Sequence, residues 1–94
     1  MLLAAGNVPY RYEVMGIVFG YSLRAGEGCN NSISLISVFK DAVTKLEESA
    51  KDVGADGVIH INFQQRDTVA KGCGGGKPAS EVYAWGTSIK FIRD

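Results

Sequence analysis

The hydrophobic residues change their period along the chain, and each change marks an element. From Tyr10 to Leu23, the residues Tyr10, Tyr12, Val14 and Val18 alternate with Arg11, Glu13, Met15, Ile17 and Phe19. A period of two in a run rich in aromatic and β-branched residues predicts a strand. Gly16 and Gly20 fall on the Val14/Val18 side of it. Glycine weakens a strand interior, and there it marks a bulge or a close approach by other backbone. Arg24 to Asn31 reads as a loop. From Ser32 to Val53 the period lengthens: Ile36, Phe39, Val43, Leu46, Ala50 and Val53 recur at steps of three and four. That is the stripe of an amphipathic helix. Asn31 or Ser32 can cap its first turn, and Gly54 stands where a left-handed residue closes a helix. Asp41–Lys45 and Glu47–Lys51 are favourable i,i+4 pairs on its polar side.

The period of two then returns. Between Gly57 and Gln64, the residues Ile59, Ile61 and Phe63 face one way and Val58, His60, Asn62 and Gln64 the other. Arg66 to Ser80, with its glycine-rich centre, reads as a long loop. Glu81 to Ile92 is a third strand, with Tyr83, Trp85, Ile89 and Phe91 opposite Val82, Ala84, Gly86, Ser88 and Ile92. The order β-α-β-β predicts one α+β domain over residues 1–94. A right-handed crossover makes the first two strands parallel. The third inserts between them, giving a three-stranded mixed sheet of order 1-3-2 with one long helix on one face. A lone helix covers only that face, yet Met15, Ile17 and Phe19 oppose Val14 and Val18. The uncovered apolar residues predict burial against another subunit.

Composition narrows the partners. The chain's 94 residues leave room for a single core. A hydrophobic content of 46% with 21% charged residues excludes disorder. Ten basic residues against ten acidic ones give zero net charge, which lacks the basic footprint of a nucleic-acid or anionic-membrane binder. The same neutrality permits self-association. Met1 to Gly6 faintly resembles a signal peptide, but it has no basic flank and its apolar run is short. No stretch approaches the roughly 18 apolar residues that span a bilayer. The expectation is a soluble, cytoplasmic protein with no membrane partner.

Little in the sequence has the form of a reaction centre. Lys71-Gly72-Cys73-Gly74-Gly75-Gly76-Lys77-Pro78 invites comparison with a phosphate-binding loop. That motif needs a leading glycine, a Ser or Thr after the lysine, and a helix to follow. Lys71, Pro78 and a following strand stand there instead. Cys29 and Cys73 are too few for a disulfide scaffold and too far apart for a CxxC site. Free thiols are the first reading, with a bridge or a metal or redox site behind it. A bridge would contribute roughly 4 kcal/mol in the chain-entropy picture. Whether the two cysteine loops share one end of the sheet is open at this level. His60 is the only histidine, and two thiols with one imidazole fall short of a closed tetrahedral site unless a neighbouring subunit adds ligands. No nucleophile stands beside His60 in any motif, so a hydrogen-bonded or exposed imidazole is expected rather than a catalytic base. Glu81 and Asp67 could meet in space, though no spacing argues it. Tyr83, Trp85 and Phe91 form an aromatic stripe suited to core or interface, with ligand stacking on Trp85 and Tyr83 a more distant reading. Neither an enzyme nor a cofactor is expected.

Three stretches carry a family resemblance. Gly16-Ile17-Val18-Phe19-Gly20, the helix running through Ala50 into Gly54-Ala55-Asp56-Gly57-Val58, and Trp85-Gly86-Thr87-Ser88-Ile89-Lys90 together resemble the YbjQ-like proteins. These are small bacterial proteins without an assigned activity, sometimes labelled heavy-metal-binding. The likeness covers most of the chain. It implies a dodecin-subunit-like fold and a homopentameric ring, and it brings no activity or ligand set with it. Gly16, Gly20, Gly54 and Gly86 are expected to serve turns and packing. The leading expectation is a non-enzymatic oligomeric binding or structural module, with room for a small ligand or metal at its subunit interface. The alternative is a thiol-dependent metal-binding or redox-sensing protein using Cys29 and Cys73.

Overall fold

Alternation along residues 12–25 builds the first long strand of the computed structural model, which describes residues 1–25, 34–72 and 75–93. The elements are β1 (Leu2–Leu3), β2 (Tyr12–Ala25), α1 (Leu35–Asp52), β3 (Gly57–Gly72) and β4 (Gly75–Phe91). The sheet order is β1-β3-β4-β2. β4 runs antiparallel to both β2 and β3, so those two are parallel to each other. The three long strands are thus ordered with β4 in the middle. The sheet nevertheless has four strands rather than the expected three, which departs from a simple dodecin-like subunit. The additional strand is β1, parallel to β3 with Leu2 opposite Gly57 and Leu3 opposite Val58. The segment that superficially resembled a leader is therefore part of the sheet. Its backbone bonds continue past the strand: Ala4 N–H donates to Val58 O (2.9 Å) and Ile61 N–H to Ala4 O (3.1 Å). Two residues are too short a run to display a period.

The largest correction concerns residues 66–80. Residues 66–72 and 75–80 are not loop but the ends of β3 and β4, paired from Arg66↔Glu81 out to Gly72↔Gly75. Glycine and lysine depress strand propensity, and the ladder forms there because its two halves pair with each other. β3 and β4 therefore run to 16 and 17 residues, or ~55 Å. The 18-residue helix spans only ~27 Å. The molecule measures 61 × 22 × 16 Å, with a radius of gyration of 16.3 Å where a compact chain of this length has ~12 Å. One helix leaves even its own side of the sheet partly bare.

The helix starts at Leu35 rather than Ser32, with Ser34 as N-cap accepting from Ser37 N–H (3.4 Å). The expected caps Asn31 and Ser32 lie outside the described residues. At the other end Gly54 has φ +76°, Gly54 N–H donates to Lys51 O, and Ala55 N–H to Ala50 O. This is a Schellman closure. The stripe facing the sheet is Val38, Ala42, Leu46 and Ala50, all buried. The stripe expected from Ile36 to Val53 is thus rotated away from the sheet at its ends: Ile36 and Val53 are 69% and 51% exposed. Small residues decide the rotation. A Cβ on Gly20 would strike the carbonyl oxygen of Ala42 and the backbone nitrogen of Leu46, so the helix lies directly against the β2 backbone. Ser49 Oγ donates to Phe19 O (3.0 Å), and buried Ser22 Oγ donates to Asp41 Oδ2 (2.7 Å). The two helical ion pairs form as spaced, Asp41–Lys45 at 3.9 Å and Glu47–Lys51 at 3.2 Å. Exposed pairs of this kind contribute about 0.3–0.5 kcal/mol each.

Two bulges shift the alternation. The first lies between Val14 and Gly16, where Gly16 adopts φ +123° and its carbonyl accepts from the buried Ser88 Oγ (2.9 Å). Val14 is 60% exposed while Val18 is buried, although both belong to one expected face. The second lies between Ile59 and Asn62, with His60 at φ +53° and Gly86 opposite the extra residue. Val58 and Ile61 consequently both join the core under the helix. The expected Ile59/Ile61 and Val58/His60 pairings of faces are overturned by that one inserted residue.

Candidate functional site

Chemistry-bearing side chains gather on the sheet face turned away from the helix. The register aligns Ile17 with Thr87, Phe19 with Trp85, Tyr21 with Tyr83 and Leu23 with Glu81. Ile17, Phe19 and Leu23 are 66%, 65% and 49% exposed. Tyr21 and Tyr83 lean together with ring centroids 4.9 Å apart. Trp85, the stacking candidate, is half-buried in this stripe beside Phe19, and Tyr83 is exposed. The β-strand period places all of these on one surface, and no element of the described chain lies over it.

One polar cluster interrupts the apolar surface. Tyr21 OH donates to Glu81 Oε1 (2.9 Å), and Arg66 approaches Glu81 Oε2 through Nε (3.0 Å) and Nη2 (2.9 Å). The cluster ties β2, β4 and β3 together where the sheet leaves the helix. Glu81 is buried, and both its oxygens have donors. The bond to Glu81, with burial and the Glu81 charge adding to it, raises the Tyr21 phenol above its ordinary value; Arg66 partly opposes this. A raised folded-state value stabilises the protein fully below the unfolded phenol pKa, near 10, and that contribution fades as pH climbs through the folded value. The Tyr21 phenol should therefore ionise above its ordinary range in a phenolate absorbance titration. Glu81→Gln should shift that ionisation back down, whereas a titration curve unchanged by the substitution would contradict the cluster.

Sequence reasoning named Glu81 with Asp67; the structure gives Glu81 to Tyr21 and Arg66. Asp67 instead accepts from Gln65 Nε2 (2.7 Å). Tyr21 and Arg66 carried no motif, since only strand register brings them together. His60 is exposed at its bulge, with its N–H donating to Gly6 O (3.1 Å). A left-handed backbone costs a residue with a Cβ about 1–2 kcal/mol, and histidine is among the residues found there more often than most. Cys29 and Cys73 lie outside the described residues. Among the described residues, no three of His, Cys, Asp and Glu gather as a metal cluster. Ala25 pairs with Ala79, so the described chain before Cys29, at Ala25, and on both sides of Cys73, at Gly72 and Gly75, points to the same end of the sheet.

Two concavities are more apolar. A cleft of about 600 Å³ at the opposite end is lined by Leu2, Pro9, Tyr10, Arg11, Phe91 and Ile92, with Tyr10 edge-on to Phe91 at 5.6 Å. A groove of about 480 Å³ runs along Ile36, Phe39, Lys40, Val43 and Thr44, and Phe39 meets Phe63 at 5.4 Å. No described helix is long and apolar enough to cross a membrane.

The motif residues have backbone tasks. Gly54 and Ala55 close the helix. Asp56 Oδ2 accepts from Phe91 N–H (2.9 Å), while Asp56 N–H donates to Ile89 O (2.8 Å). A Cβ on Gly57 would press on the Leu2 carbonyl (2.9 Å), and one on Gly86 would meet Val58 Cγ1 (2.6 Å).

Residues 22–92 match the profile of the YbjQ family, whose description reads "Putative heavy-metal-binding". A UPF0145 protein of Methanoculleus marisnigri is 27% identical over 96 residues, 85% of this chain and 83% of its own length. UPF0145 proteins of Archaeoglobus fulgidus and Lactobacillus gasseri are each 27% identical over 103 residues, covering 90% and 92% of this chain and 89% of each relative. The archaeal matches place such relatives outside bacteria as well. A crystal structure of a protein of unknown function from Pediococcus pentosaceus, of the DUF74 family, superposes with a TM-score of 0.75. It shares 21% identity and covers 98% of each chain, a likeness in fold.

Proposed function

The chain belongs to the YbjQ family, and from that premise we propose that it is a non-enzymatic oligomeric binding or structural module whose subunits close into a ring of five. The observation that carries the reading is the uncovered sheet face of Ile17, Phe19, Leu23, Tyr83 and Trp85. A contiguous apolar surface of this kind is costly in water and marks an interface. The ring and its five subunits rest on the family resemblance. The signature residues hold turns and close packing, which suits a scaffold better than a reaction centre. A small ligand or a metal would sit between subunits.

A second reading is thiol-dependent metal binding or redox sensing through Cys29 and Cys73. It is favoured by the described chain before Cys29 and on both sides of Cys73 pointing to one end of the sheet. Native mass spectrometry of unreduced protein tests both readings together. The expected result is a five-fold mass. A copurified metal, or a loss of two hydrogens per chain, would turn the assignment toward the thiols. A clean monomer with nothing bound would overturn the ring.

A further inference from the structure

We propose that the sheet continues from one copy to the next, the outer edge of β2 in one subunit hydrogen-bonding to the outer edge of β3, residues 63–72, in its neighbour. The inference rests on the oligomeric reading and deepens it by naming the surfaces that meet.

Among the described residues β2 ends the sheet, so one side of its 14 residues has no described strand beside it. At the other end β1 shields only the start of β3. Its hydrogen bonds stop at Ile61, and no strand of the described residues lies on the outer side of residues 63–72. Each sheet end thus presents a row of backbone donors and acceptors on every second residue. Natural proteins blunt such edges with prolines, charges, short strands or bulges. On β2 the one bulge lies at its beginning, between Val14 and Gly16. From Ile17 to Leu23 there is no proline and no charged residue, and Ile17, Phe19 and Leu23 are exposed.

The lengths match, while residues 63–72 of β3 carry three charged residues, Arg66, Asp67 and Lys71. Ten residues of β3 extend ~33 Å and fourteen of β2 ~46 Å, so one edge can lie along most of the other. A second copy of this chain is the partner that brings the missing edge in equal number, and the zero net charge sets no repulsion against it. Joining unlike edges is a head-to-tail contact, which closes into a ring when the rotation per subunit allows. The same pairing would bring the neighbour's strands alongside Ile17, Phe19 and Leu23. It would also hold the outermost part of the β3–β4 ribbon, residues 69–72 and 75–78. Among the described residues that stretch extends past Ala25 as two strands, and a two-stranded ribbon is marginal by itself in water.

Residue-resolved amide hydrogen exchange on the full chain, at a concentration where sedimentation shows the assembly, tests this without a mutation. An unpaired edge strand exchanges quickly at every second amide. Continuation of the sheet is expected to abolish that alternation in residues 17–24 and 63–69, with both parities slow. An assembled protein that keeps the period-two pattern overturns the edge pairing while the oligomeric reading stands. A monomer overturns both.

Discussion

Gly20→Ala is expected to destabilise the protein by ~3 kcal/mol, at the upper end of what overpacking ordinarily costs. The added methyl would meet backbone rather than side chain. It strikes the Ala42 carbonyl oxygen and comes within 2.5 Å of the Leu46 nitrogen, on successive turns of α1. No rotamer change relieves that contact, so the helix must lift from the strand. Lifting it loosens Val38, Ala42, Leu46 and Ala50 together, which are four of the nine buried residues of the main core cluster. For a domain this small the midpoint should fall by at least about 12 °C in a thermal melt followed by circular dichroism. Gly6→Ala is the matched control, because a Cβ there meets nothing within 4 Å. Equal stability of Gly20→Ala and the parent would show that the helix does not pack as described.

Phe19→Asp should act on assembly instead of folding. Phe19 is 65% exposed in the single chain, so its removal takes little from the subunit's own core. Exposed positions of this kind usually change stability by no more than about 0.5 kcal/mol. Within an interface the account reverses. Burying a phenyl ring contributes roughly 1.5–3 kcal/mol, and an unpaired carboxylate in its place costs more than the ring's absence. Together these weaken each subunit contact at least about 100-fold. Sedimentation velocity should show a folded monomer where the parent protein assembles. Ile17→Asp, at a neighbouring position on the same face, should reproduce the result. If both variants assemble as the parent does, the open face is not the interface.

The two glycines of β2 show how far local sequence reaches. Both were legible as departures from a plain strand, for either a bulge or a close approach. The structure gives one task to each: Gly16 turns the bulge at φ +123°, and Gly20 admits the helix. Nothing near either residue separates the two tasks, because the helix residues that select between them, Ala42 and Leu46, lie more than twenty positions away. The Tyr21–Glu81–Arg66 cluster was hidden for the same reason. Its members come from three strands and meet only once the β2–β4 and β3–β4 registers are set. The ribbon of residues 66–72 and 75–80 reads as loop because glycine and lysine are loop composition, and cross-strand pairing outweighs that local preference.

Local sequence is enough to specify the long helix, its i,i+4 pairs, its glycine closure, the three main strands and a surplus of apolar surface. Each of those follows from period and local chemistry, which act over a few residues. Tertiary structure alone decided the fourth strand, the rotation of the helix about its axis, and the two bulges that move Val14 and Ile61 to other surroundings. It alone decided that the longest strands run about twice the length of the helix. These depend on backbone meeting backbone across the chain. A shift of one residue in register there reverses which side of a strand meets the core, and no periodicity in the sequence records such a shift.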